Sequence, residues 1–342
     1  MNQHMLSEGK LLNSNGDLNE AGYAYSLIKE YNRKDIVGNK WRIKEWDYYY
    51  VGNKKLALAI TIDDNSYMNM CSVSFFNYEN CTYSEKMTLH PFSFGKLNFP
   101  STSKKGNLTF QDKKASFHFD KLDDSRHIYG IYKKFKDGKD LEVDLYLFET
   151  NPSSMVIATP FNKKRHFYYN QKINNLSCEG KIKLGQEEHL FNKNDTCGVL
   201  DWGRGVWTYK NTWYWSSLND IQDGHHIGFN LGYGFGDNSY ASENMFFYDE
   251  QVYKLNDVTF NIPKDKKGKD EFSKKWTFSS SDYSIDLEFT PLICRKGGAN
   301  ILIINSNQNQ IFGRFNGSIT VDNKTFQINN LVGFAEKVYN RW

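Results

Sequence analysis

A chain of 342 residues can form two domains of ordinary size or one large one. Its 43 basic and 40 acidic residues leave a net charge of +3, which argues against an electrostatic nucleic-acid binder with its basic stripe. At 16% aromatic, with only 6 Pro, the chain is too rich in Phe, Tyr and Trp to be disordered, and these rings must supply an unusual share of the core.

No apolar run reaches the roughly 18 residues of a membrane span, and Met1 to Gly16 holds no apolar stretch of signal-peptide length. Cys71, Cys81, Cys178, Cys197 and Cys294 form no CxxC and no zinc spacing. Reduced thiols and a cytoplasmic location are therefore expected.

Along the chain, Glu20 to Tyr31 predicts a short helix, because Tyr23, Leu27 and Tyr31 recur at one-face spacing. Arg42 to Asp47 alternates charged and apolar residues and reads as a strand with ion pairs near a domain contact, with a pocket role for Trp46 or Asp47 as the alternative. Strands follow at Leu56 to Ile62, Ala115 to Asp120, Leu141 to Leu147, Ser284 to Phe289 and Ser318 to Asp322. Their period of two, with one polar face, indicates antiparallel sheet. Turn signals stand at Asp137-Gly138, Asp223-Gly224, Gly297-Gly298 and Asp322-Asn323. Helices long enough for parallel crossovers are missing, so the class is all-β, with barrel or sandwich domains. The polar stretch Lys183 to Asp195 sets a boundary near residue 190, giving an N-terminal β-domain over 1–190 and a C-terminal one over 191–342. Lys264 to Lys275 reads as a solvated loop. The terminal Trp342 is expected to dock into a core, since ordinary chain ends fray.

Residues 199–247 are the densest segment, with four of the eight tryptophans inside residues 202–215. Asp201, Arg204, Asp237 and Glu243 stand there among aromatic residues and glycines. One reading is a core with an Asp201–Arg204 ion pair and glycines at close backbone approaches. The other is an aromatic pocket with convergent polar groups, because buried carboxylates are costly unless paired or used. In a strand Trp213 and Trp215 share a face, and Tyr214 turns away. Gly232 to Gly236 is GxGxG, without the spacing or the βαβ setting of a dinucleotide loop. His225 and His226 are adjacent, which suits a polar pair at a turn better than a metal site. No GxSxG or HExxH occurs, and neither metal nor cofactor is expected.

These residues carry a family pattern. It comprises Arg42 to Tyr49, Ser154 to Phe161, Phe167 to Asn174, Asp201 to Gly205, Trp213 to Trp215, Gly234 to Asp237, Ser242 to Asn244, Gly333 to Glu336 and Arg341-Trp342. On it the chain resembles, over nearly its whole length, the bacterial family known as domain of unknown function 2804. That family is distantly similar to carotenoid hydratase and AttH-type proteins, which pair two lipocalin-like β-domains. The resemblance implies two barrel-like halves with a ligand pocket at or between them, and it transfers no reaction. His is common in the family where this chain has Tyr253 and Asn309, so no mechanism that needs either His is implied here.

Two function classes follow. The first is an acid-catalysed hydratase, isomerase or cyclase acting on a small apolar or amphipathic molecule. Asp201, Asp237 or Glu243 would be the protonated carboxyl, with Asp201 or Asp237 preferred. Trp207, Trp213, Tyr214 and Trp215 would supply ring faces for a developing cation, and Arg204, Asn230 and Asn244 would orient the ligand. The second is a non-catalytic lipocalin-like carrier with the same pocket and no poised acid. A carbohydrate-active role is the remaining alternative. Oligomeric state stays open.

Overall fold

The computed structural model describes residues 3–301 and 304–341. The N-terminal segment contributes β1 (Gly9–Lys10), β2 (Gly22–Ala24) and β3 (Lys29–Glu30), followed by two single-turn 3-10 helices, Arg33–Asp35 and Lys40–Arg42. A meander then runs through β4 (Ile43–Gly52), β5 (Leu56–Asp64), β6 (Met68–Asn77) and β7 (Thr82–Pro91). Next come β8 (Asn107–Gln111), β9 (Ala115–Lys121), β10 (Ser125–Lys136), β11 (Lys139–Phe148) and β12 (Met155–Pro160). The long β13 (Phe167–Leu184) precedes β14 (Glu187–Phe191) and β15 (Cys197–Val206). The second half holds β16 (Lys210–Gln222), β17 (His225–Tyr233), β18 (Met245–Tyr248), β19 (Gln251–Lys254), β20 (Thr259–Asn261) and β21 (Trp276–Ser279). It closes with three long strands, β22 (Ile285–Ile301), β23 (Ile304–Val321) and β24 (Lys324–Arg341).

The protein is all-β. Among the described residues, two curled antiparallel sheets form two half-barrels. The first has the order β7-β6-β5-β4-β15-β13-β11-β10-β9-β8, with β2, β12 and β14 attached at its side. The second runs β19-β18-β17-β16-β24-β23-β22-β21-β20. Each curls around its own core, such as Ile60, Phe117, Leu145 and Trp202 in the first and Phe229, Trp276, Phe289 and Phe315 in the second. Their outer faces meet through Tyr50, Phe76, Trp215, Phe312 and Phe334. The first sheet runs to Val206 and the second starts at Lys210, so β15 pairs with β4 and β13 of the first sheet. Among the described residues no helix is long and apolar enough to cross a membrane.

Two local expectations are corrected. The helix over Glu20 to Tyr31 does not form. Gly22–Ala24 instead adds a strand to β12, with Tyr23 opposite Ile157. A helix this short is marginal without packing, and Gly22 weakens it further. Backbone also crowds Gly22: a Cβ there would stand 2.4 Å from the His4 carbonyl oxygen. Gly297-Gly298 is not a turn. Both glycines lie inside β22, opposite Gln308 and Asn307. The other three signals are tight turns with positive φ at Asp137, Gly138, Asp223, Gly224, Asp322 and Asn323. Trp342 lies outside the described residues, and Arg341 pairs with Lys210 at the end of β24.

Candidate functional site

In antiparallel sheet, residues directly opposite one another share a face. That rule threads two rows across the first sheet. One runs Lys172–Asp201–Tyr48–Thr61–Ser72–Met87, from β13 to β7. Its neighbour runs Asn170–Gly203–Trp46–Asp63–Met70–Leu89 over the same strands. A third crosses the second sheet as Gly232–Trp215–Glu336–Gln310–Arg295. Members of all three rows line one cavity of about 210 Å³ between the sheets.

Aromatic rings form much of its wall. Trp46 stacks on Tyr168 at 5.9 Å and meets Trp207 edge-on at 5.3 Å. Trp207, Trp213 and Phe235 contact one another at 4.8 to 5.8 Å. Two glycines make room. A Cβ on Gly203 would stand 1.9 Å from the Trp46 ring, and one on Gly232 would stand 2.6 Å from Glu243 Oε1. Gly203→Ala must therefore push Trp46 out of its stack. Such overpacking should cost about 1–3 kcal/mol in urea unfolding.

The polar groups are buried and mutually bonded. Lys172 Nζ lies 3.1 Å from Asp201 and 3.9 Å from Glu243, and stands 4.1 Å over the Trp215 ring. Asn170 donates to Asp201 at 2.6 Å. Trp215 Nε1 donates to Asn230 Oδ1 at 2.7 Å, while Asn230 Nδ2 donates to the Glu243 backbone carbonyl at 2.7 Å. Burial raises the Glu243 carboxyl against the pull of Lys172. Glu336 accepts from Trp213 Nε1 at 2.8 Å and from Gln310 Nε2 at 3.1 Å. Burial outweighs these bonds and pushes its carboxyl up to about 7. Asp63, bonded by Asn65 at 2.9 Å, is likewise raised to about 7 by burial, against the opposing charge of Lys44.

The residues expected from the sequence divide by strand alternation. Asp201, Glu243, Trp207, Trp213 and Trp215 line the cavity, and Asn230 supports it from behind. Arg204 does not. Three positions from Asp201 in a strand, it faces the opposite side, where it bonds Asp47 at 2.9 Å and the carbonyls of Trp46, Gly203 and Pro100. The Asp201–Arg204 pair is thus replaced by Lys172–Asp201. Tyr214 packs into the second sheet's own core, stacked on Tyr233 at 4.5 Å. Asn244 bonds backbone, accepting from Gly232 N and donating to the Asn256 carbonyl. Asp237 lies in an exposed turn. Hydrogen bonds from Ser239 hold its carboxyl below the usual range, so it stays ionised and cannot serve as a proton donor near neutral pH.

Glu336, Asp63, Lys172, Tyr48 and Tyr168 line the cavity without having been singled out as site residues. Glu336 had two available signals: its place in the family pattern Gly333 to Glu336, and a carboxylate in a strand with apolar Phe334 and Val338 on its own face.

The two raised carboxyls set a pH dependence. Their ordinary values are 4.5 for Glu336 and 3.8 for Asp63, and both sit near 7 when folded. The folded chain therefore holds more protons across this window. Their stabilising contribution is complete below about pH 4 and is lost as pH rises through about 7. We expect the melting temperature to fall by several degrees between about pH 5 and pH 8, and Glu336→Gln/Asp63→Asn to flatten that slope. Calorimetry across the pH range measures both.

Among solved structures, the fold resembles a protein designated AttH from Nitrosomonas europaea, at 12% identity and a TM-score of 0.53, covering 90% of this chain and 96% of that one. Kievitone hydratase from Nectria haematococca aligns at 12% identity and TM-score 0.45, covering 87% and 88%. CghA aligns at 7% identity and TM-score 0.42, covering 98% and 97%. No curated protein matches the sequence. The family model described as "Domain of unknown function (DUF2804)" matches residues 2–342, and the chain belongs to that family.

Proposed function

We propose that the cavity between the sheets is an active site for acid–base chemistry on a small, largely apolar molecule, with Glu336 as the proton donor. One arrangement carries this reading: a carboxyl enclosed in an aromatic cavity, bonded to Trp213 and Gln310 and pushed up to about 7 by burial. A general acid works best with a pKa near the working pH. Among the described residues Trp207 Nε1 is buried without a hydrogen-bond partner.

For an alkene substrate the step balances as a hydration. The Glu336 O–H proton is transferred to one alkene carbon and the π pair becomes the new C–H bond. The adjacent carbon becomes cationic between ring faces. Water then bonds that carbon and returns a proton to the Glu336 carboxylate. Loss of a neighbouring C–H proton to the same carboxylate would instead complete an isomerisation.

Incubation of the protein with a small-molecule extract in deuterated water tests this. Deuterium appearing on carbon in an extracted molecule, dependent on active protein, is the expected result. A molecule that binds tightly and gains no label would make the protein a carrier and sink the catalytic reading.

A further inference from the structure

The two rows that form the cavity wall do not stop at the cavity. They end on the edge strand β7 as Met87 and Leu89, which are 49% and 50% exposed although they share the cavity face with Ser72 and Met70. Past Pro91 the apolar surface continues into Phe92 and Phe94, 58% and 41% exposed, and across to Trp41, 50% exposed. Trp41 meets Phe94 at 4.8 Å and Phe92 at 6.3 Å, both edge-on. Phe92 and Phe94 both sit at positive φ, 58° and 47°, unusual for bulky residues. Their backbone N–H groups are tied to the Tyr67 and Ser66 carbonyls, just past the cavity residues Asp63 and Asn65. The fold thus holds two strained phenylalanines outward beside the loop that follows the cavity residues Asp63 and Asn65.

Cations frame this patch. Lys40 and Lys96 are exposed in the segments that carry Trp41 and Phe94. The exposed run Lys163-Lys164-Arg165 adjoins through Gly38, whose Cβ would lie 3.8 Å from Arg165 Cδ. Two acids stand among them: Asp35, in the preceding turn, and Asp17, whose carboxylate accepts from the Arg165 backbone N–H at 2.6 Å.

We propose that this patch docks on an anionic lipid surface, so that an apolar ligand passes between the bilayer and the cavity along the Leu89 and Met87 wall. Aromatic rings settle at headgroup depth, and flanking Lys and Arg are drawn to anionic lipids. The inference uses the cavity's apolar wall and is independent of Glu336 chemistry.

Co-sedimentation of the full chain with phosphatidylcholine–phosphatidylglycerol vesicles tests it, with pure phosphatidylcholine vesicles as the control. We expect binding to the mixed vesicles, weakened by about fivefold for each cation removed in Lys40→Gln/Lys96→Gln. Phe92→Ser/Phe94→Ser, at exposed positions, should abolish binding with the circular dichroism spectrum retained. Absence of binding to either vesicle, equal binding to both, or equal binding by the serine variant would overturn the proposal. So would a reversible dimer in sedimentation velocity that the serine variant loses, since a second copy would then cover the patch. Deuterium labelling in solution reads the chemistry alone, so the two proposals fail separately.

Discussion

Glu336→Gln should lower turnover of a labelled substrate by about 10²–10⁴-fold, the usual worth of a positioned general acid, with the fold retained. The amide keeps the size of the side chain and one oxygen for Trp213 Nε1. Its new N–H₂ faces the Gln310 donor, which a turn of the Gln310 amide can relieve at the expense of its bond from Arg295. The wild-type rate should be full below about pH 7 and fall tenfold per pH unit above it, because the acid form of Glu336 is lost there. In the glutamine variant the residual rate should show no such fall. Asp237→Asn is the matching control: its carboxyl is exposed and ionised, and turnover should be unchanged. Steady-state rates across pH decide both. Equal rates in wild type and Glu336→Gln would remove this residue from the mechanism.

The all-β class was legible because period-two patterning survives wherever one face of a strand is wet, as in Ala115 to Asp120 and Leu141 to Leu147. The crowding of Trp202, Trp207, Trp213 and Trp215 pointed to a stretch of chain that borders the cavity, since three of them line it. What local density cannot show is a row assembled across strands. Glu336 faces Trp215 through the pairing of β16 with β24, and Lys172 faces Asp201 through β13 with β15. Each partner is far away in the chain. Asp63 directly follows the run Leu56 to Ile62, and strand pairing sets it beside Trp46 and Met70. The lost helix has the same origin: pairing with β12 decides Gly22–Ala24, and nothing within Glu20 to Tyr31 encodes β12. Arg204 is different, because the rule that separates it from Asp201 was already readable. Positions three apart in one strand cannot share a face.

Arg204→Met should be among the most destabilising single changes in the first sheet, by about 3–5 kcal/mol, the typical loss when one partner of a buried ion pair is removed. The guanidinium is fully buried, bonds Asp47 at 2.9 Å and three carbonyls, and stands 4.1 Å over the Trp202 ring. Glu45 lies 3.9 Å from its Nε and is also held by Arg33 and by Tyr31 at 2.8 Å. Removing the cation leaves the Asp47 carboxyl buried without its charge partner. Burial already raises that carboxyl, and Arg204 opposes the rise most strongly, ahead of Arg126. Asp47→Asn added to Arg204→Met should therefore restore part of the loss, because the second change removes the unpaired charge rather than a second attraction. Urea unfolding of the two single variants and the double variant measures the coupling. If Arg204→Met left stability unchanged and instead weakened ligand binding, the cation would belong to the cavity and the separation of the two faces of β15 would be wrong.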